Sequence, residues 1–292
     1  MNPRTNLRGI GAMLLAAALF SLMDTGLKLL SPHYPAVQVA ALRALSSLPL
    51  VVAFVAWRRA FASLLRIRWP LHLLRGVLGI GMLTAFSFAL RHLPLAEAYS
   101  IFFVAPLFIT LLSGPLLGET VGAARWIAIG VGLLGVLVVL RPTGAGMFTL
   151  AGGAVLLAAA CYSVSAITVR IVNRTDSIDS QLFWLMTMVG VGAGAMALPQ
   201  WTPVRATDGW VLCGVAVSGF LGQLAITQAF RHGEASAIAP FEYSALAWGL
   251  GIDWLVWKTL PDAWMLAGAA IIIASGIYLV RHESVHAESE HP

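Results

Sequence analysis

The strongest candidate for chemistry in this 292-residue sequence is a carboxyl group in the run Pro240-Phe-Glu-Tyr-Ser244, deep in an apolar stretch. An ionisable side chain in hydrocarbon costs several kcal/mol unless it faces water, a partner or a bound ligand. Glu242 has no cation within a helical turn. Two roles fit it. It can line a cavity, where it would meet a substrate ammonium or carry a coupling proton. Alternatively, it can be hydrogen-bonded to the backbone of its own helix. Pro240 withdraws an N–H two residues earlier, which leaves nearby carbonyls free to face a cavity. Asp24 and Lys28 are four residues apart, so they share one helix face. Arg43 stands in the next apolar segment. Asp24 and Lys28 can touch substrate or form a structural pair near the outer helix ends. Arg43 would partner Asp24 or a carbonyl.

Uncharged groups surround these. Gln223 and Gln228 can orient a polar substrate. Tyr99, Phe102, Phe103, Phe86, Tyr162, Tyr243 and Trp248 can supply an apolar wall. Each aromatic alone is ordinary packing; the signal is their concentration in a few segments. A mostly apolar wall with few polar groups suits aromatic or aliphatic amino acids and similar amphiphiles. Glu97, Glu119 and Asp253 read as helix-end residues, and Cys161 and Cys213 as packing residues inside apolar runs. His282, His286 and His291 imitate a metal set, but a polar, solvated tail accounts for them. No cofactor or metal is expected. There is no P-loop, nucleophile elbow or metal-spaced His/Cys set.

The elements that must position these residues are membrane helices. Hydrophobic residues make up 59% of the chain and charged residues 11%, where soluble domains carry about 25% charged. Ten apolar segments of spanning length follow one another. They lie near 9–30, 36–57, 76–90, 95–117, 123–140, 150–172, 181–198, 209–230, 235–257 and 263–280. Pro106 is expected to kink the fourth. The net charge of +5 sits at segment ends, so nucleic acid is not an expected partner. With the N-terminus inside, the inner loops hold Arg4, Arg8, Arg58, Arg59, Arg66, Arg68, Arg75, Arg125, Arg170, Arg174, Arg231 and Arg281. The outer side holds only Lys28, Arg91, Arg141, Arg205 and Lys258. Both termini are therefore expected in the cytoplasm.

The chain also repeats. Gly11-Ala-Met-Leu-Leu-Ala-Ala-Ala-Leu-Phe-Ser21 returns as Gly153-Ala-Val-Leu-Leu-Ala-Ala-Ala-Cys-Tyr-Ser163, which sets Lys28 opposite Arg170. Ala89-Leu-Arg-His92 returns as Ala229-Phe-Arg-His232. Each half then has five helices. Because five is odd, the second half enters the membrane from the opposite side, as in transporters with inverted repeats. The expected fold is an all-α integral membrane protein of ten transmembrane helices in a five-plus-five inverted repeat. The halves are 1–146 and 147–281, with a polar cytoplasmic tail at 282–292. The substrate site is expected near the bilayer midplane, between the halves.

These features resemble the drug/metabolite transporter superfamily, and the local patterns resemble its EamA-type repeats. The resemblance rests on Asp24-x-x-x-Lys28, Arg43, and the run from Pro94-Leu-Ala-Glu-Ala through Pro106 to Gly118-Glu119. It covers nearly the whole chain. The second half departs from the pattern near Lys258-Thr259, where an acidic residue is expected. In size and layout the chain looks like bacterial amino-acid exporters of the YddG type. The resemblance implies a secondary transporter in the bacterial inner membrane, working by alternating access on a small molecule, with a monomer sufficient. Export of aromatic or other apolar amino acids, or similar metabolites, is the favoured expectation. Uptake of S-adenosylmethionine, a vitamin or another metabolite is the alternative, and an intramembrane enzyme is a remote one.

Overall fold

A computed structural model describes residues 3–30, 32–65, 67–90, 92, 95–142, 148–258 and 262–289, and these fold as helices and short connections. Among the described residues the chain makes ten helical passes through the bundle, and nine of them are long and apolar enough to cross a membrane. The first three are α1 (Pro3–Leu30), α2 (Ala36–Trp57) and α3 (Trp69–Leu90). The fourth is split into α4 (Leu95–Phe102) and α5 (Ala105–Leu117). Then come α6 (Ala123–Leu140), α7 (Leu150–Val172), α8 (Ile178–Ala197) and α9 (Gly209–His232). The ninth crossing is split into α10 (Ala235–Ile238) and α11 (Ser244–Trp257), joined by a 3-10 turn over Ala239–Tyr243, and α12 (Ala263–Ser289) is the tenth.

Local chemistry sets the helix ends and both breaks. Thr149 and Ser177 cap α7 and α8 by accepting from the N–H groups of Gly152 and Ser180. Gly118 ends α5 in the left-handed region, at φ 72°, which glycine adopts without strain. Pro106 and Pro240 each lack an N–H, and each ring crowds the carbonyl four residues back. The helix gives way just upstream of Pro106 and around Pro240. The ninth segment is thus not the single helix expected over 235–257. The tenth also differs: α12 stays helical to Ser289, because 281–289 contains neither Gly nor Pro to stop it.

The two ends of the bundle are identified by their contacts. One end, here the N-terminal end, gathers Asn6, Glu119, Arg125, Arg170 and Glu234. The far end is tied by Tyr34 to Asp208, Gln38 to Thr202, and Arg141 to Asp262. The packing obeys exchange of the halves. α1 lies along α9 as α7 lies along α3, α5 meets α7 as α11 meets α1, and the α2–α8 and α6–α12 pairs map onto themselves. Small residues permit the closest approaches. A Cβ on Gly268 of α12 would meet the carbonyl oxygen of Gly135 on α6 at 2.7 Å.

Exchange is not complete, and the break that bears on access lies between α5 and α10. α10 packs on α5 and is completely buried, with Ala235, Ser236, Ala237 and Ile238 at 0% exposure. Its counterpart pair, α4 and α11, shares at most a marginal contact among the described residues. Among the described residues the bundle is sealed at the N-terminal end, and at the far end α4 and α11 stand apart.

Candidate functional site

Between the halves lies a cavity of about 340 Å³. α1 supplies Met13, Phe20 and Asp24; α2 supplies Arg43; α3 supplies Arg75, Gly79 and Met82. The broken fourth crossing contributes Tyr99, Phe102, Phe103 and Pro106, and α7 contributes Cys161, Tyr162 and Ser165. Gln223 and Phe230 come from α9, and Glu242 from the 3-10 turn. The wall is apolar and aromatic, with two carboxyl groups and two guanidiniums set into it.

The break at Pro240 is what puts Glu242 there. A 3-10 turn displaces its residues from the helical track on either side, and Glu242 projects toward α7. Tyr162 Oη donates to Glu242 Oε1 at 3.0 Å. Of the two readings of Glu242, the cavity position fits the structure, with a side-chain hydroxyl as its partner. Asp24 and Arg43 lie in the far half of their helices and interact electrostatically without direct contact. The Arg43 guanidinium also lies 5.7 Å from the centroid of the Phe20 ring, a cation–π arrangement.

Eight residues singled out in the sequence therefore meet at this cavity: Glu242, Gln223, Tyr99, Phe102, Phe103, Tyr162, Asp24 and Arg43. Five others do not reach it. Tyr243 is wholly buried, its ring against Gly132 of α6. Phe86 stands behind the wall, edge-on to Tyr99 and Phe102 with centroids at 5.6 and 5.3 Å. Gln228 is five residues from Gln223, about 140° around the helix, so the two cannot share a face. Trp248 is 46% exposed on α11, and Lys28, one turn beyond Asp24, is past the cavity. The hinge residues Arg91, Leu93 and Pro94, and the side chains of Glu97 and Asp253, lie outside the described residues, as do Thr259 and His291.

One charged residue was missed. Arg75 counts as a loop charge in the sequence, yet it stands inside α3, six residues or about 9 Å from its start. It is 2% exposed. Its Nη1 donates to Gln181 Oε1 at 3.3 Å, and its Nε has no partner. Leaving such a donor unsatisfied costs about 1–3 kcal/mol. The signal was available: the apolar run begins at Trp69, not after Arg75.

The sealed end is a polar clasp. Glu119 accepts from the N–H groups of Ala235 (2.8 Å) and Ser236 (3.0 Å) and from Ser236 Oγ (2.8 Å). Arg170 lies 3.9 Å from Glu119 and donates to the carbonyls of Phe230 and Arg231. Arg125 pairs with Glu234 at 2.6 Å and reaches Ser236 Oγ at 2.8 Å. Beside it, Asp176 binds His72 Nε2 at 2.9 Å and the Arg68 N–H at 3.0 Å. Burial raises the Asp176 carboxyl, but the hydrogen bonds from Arg68, Thr175 and His72 hold it below its ordinary value.

The profile of the EamA-like transporter family matches residues 7–141 and again 150–281, so the motif runs through the chain twice. The chain belongs to the EamA-like transporter family. Within that family it is 28% identical to the pseudopaline exporter CntI of Pseudomonas aeruginosa (strain UCBPP-PA14), over 94% of this chain and 96% of that one. It is 27% identical to the riboflavin transporter of Vibrio cholerae, over 97% and 96% of the two chains. It is 26% identical to the S-adenosylmethionine uptake transporter of Rickettsia conorii, over 99% and 97%. A solved crystal structure superposes with a TM-score of 0.81 at 18% identity, covering both chains in full, which is a likeness of fold. This EamA-like protein is accordingly a multi-pass membrane transporter of a small molecule, built from two repeated halves.

Proposed function

We propose that this transporter exports amino acids with aromatic or other apolar side chains, or zwitterionic metabolites of similar make, across the bacterial inner membrane by alternating access. The observation that carries the reading is the make-up of the cavity. Its wall is aromatic and aliphatic, and it holds both carboxylates, Asp24 and Glu242, and guanidiniums, Arg43 and Arg75. An amino acid has an ammonium for the first pair, a carboxylate for the second and an apolar body for the wall. At about 340 Å³ the cavity is at the small end of ligand pockets, which suits a molecule of that size. The relative named as an exporter supports the outward direction. The Lys/Arg asymmetry supports cytoplasmic termini, so the parted far end would face outward.

Substrate exchange in proteoliposomes tests this. The purified chain is reconstituted and a panel of labelled amino acids is tried with and without a proton gradient. Saturable counterflow of phenylalanine, tyrosine, tryptophan or leucine is expected. Riboflavin or S-adenosylmethionine moving while every amino acid fails would overturn the reading. S-adenosylmethionine has its own support, because its two cationic centres would also suit Asp24 and Glu242.

A further inference from the structure

We propose that Arg75 is a carboxylate-binding subsite that serves the cavity when the N-terminal end is open. This deepens the amino-acid reading above and rests on it for the substrate class. The cavity holds two guanidiniums, and they differ in position and in state. Arg43 is half-buried in the far half of α2, on the side that is parted. Arg75 is in the half of α3 nearest the sealed end, nine-tenths buried and more, with Nε unsatisfied.

The fork is not left to drift. Gln181 of α8 accepts from Arg75 Nη1, and Gln181 Nε2 donates to Asn173 Oδ1 at 2.8 Å. Asn173 Nδ2 donates in turn to the Thr227 carbonyl of α9 at 3.3 Å. One hydrogen bond at Nη1, itself fixed by a relay through α8, Asn173 and α9, holds the guanidinium and leaves Nε without a partner. Among the described residues no carboxylate pairs with it, so the charge is kept without a counter-ion. A buried guanidinium kept in this way is an anion site awaiting its anion. A carboxylate accepts from Nε and one Nη together, in the bidentate geometry arginine favours. Opening of the clasp at α5 and α10 would expose that edge. Substrate entering from the N-terminal side would then meet Arg75 first, and Arg43 after the cavity turns.

Two measurements on the full chain in proteoliposomes test this. In the first, affinities for L-phenylalanine, phenylacetate and 2-phenylethylamine are compared in wild type, Arg75→Lys and Arg75→Gln. Arg75→Gln is expected to weaken phenylalanine and phenylacetate at least tenfold and to leave 2-phenylethylamine within twofold, with Arg75→Lys intermediate. Equal weakening of all three, or of none, would mean that Arg75 only packs, and the proposal would fall. The second measurement needs no transported substrate. Phenylglyoxal is added from either side and modification of Arg75 is mapped by mass spectrometry. Reaction from the N-terminal side, with protection by phenylacetate, is expected. An Arg75 that never reacts from that side, or that phenylacetate does not protect, overturns the subsite even if amino acids are carried. Protection without any amino-acid exchange would sink the amino-acid reading and keep the anion site.

Discussion

At the scale of single residues, Glu242 and its tyrosine carry the sharpest expectations. Gln has the shape of Glu but neither charge nor titration. If Glu242 meets an ammonium or carries a proton, Glu242→Gln should leave the amount of folded protein unchanged and lower flux tenfold or more, about 1.4 kcal/mol in transition-state terms. It should also flatten the pH dependence of flux. Near-normal flux with an unchanged pH profile would remove Glu242 from the site. Tyr162→Phe deletes the one hydroxyl bound to that carboxyl among the described residues. A neutral hydrogen bond contributes about 1 kcal/mol, so a loss of roughly fivefold is expected, read in the same exchange assay. An effect as large as that of Glu242→Gln would mean the hydroxyl has a role of its own. The sequence made these residues visible because a carboxyl in an apolar run has few innocent explanations. It hid Arg75 because a cation near a helix start looks like an ordinary loop charge.

Elements answer to packing and to the clasp. α6 and α12 touch at backbone distance through Gly135 and Gly268, where an added methyl group already meets a carbonyl oxygen. Gly268→Val should force the helices apart and cost about 1–3 kcal/mol, seen as a lowered melting temperature in detergent. An unchanged midpoint would show that α12 can shift freely. Asp176 gives a pH expectation. Its folded-state pKa is depressed, so its bonds to Arg68 and His72 stabilise the α3–α7–α8 junction above the ordinary carboxylate range. That contribution is lost as pH falls through the folded value, which lies below the ordinary carboxylate value. Asp176→Asn should therefore melt lower than wild type at pH 7, with the gap closing as the pH falls below the ordinary carboxylate range. A gap independent of pH would point to packing instead. Both helix breaks trace to prolines the sequence displays. The depth of the 3-10 turn, however, depends on what α7 and α6 press against it, and a single strand of text does not carry that information.

The whole molecule is two five-helix halves whose contacts largely interchange, and two matches at nearly the same offset, Gly11–Ser21 with Gly153–Ser163 and Ala89–His92 with Ala229–His232, foresaw it together. Which end is sealed was not foreseeable, since it depends on tertiary contacts between α10 and α5. The fold predicts a mechanical experiment. In a background with Cys161 and Cys213 replaced, a cysteine cross-link within the α3–α4 hairpin should leave exchange intact, because the hairpin moves as a unit. A cross-link from α5 to α10 should stop exchange, because it holds the N-terminal end shut. The reverse pattern would rule out hairpin motion as the gate.

The clasp at Glu119 has no acidic twin at the matching Lys258-Thr259 of the sequence, and that inequality bears on how the empty carrier spends its time. Halves that matched in every bond would divide their time evenly between the two faces. Here one face is bolted by a carboxylate that caps backbone and lies beside arginine, and the expectation is an idle molecule that rests with that face closed. If the bolt faces the cytoplasm, an exporter's cargo waits behind a shut door, and unbolting sets the tempo of the cycle. Efflux should then saturate at modest cargo concentration. Glu119→Gln, which keeps the side chain but weakens the bolt, should speed it at saturation. Slower or unchanged efflux in that variant would mean that the rest position lies elsewhere.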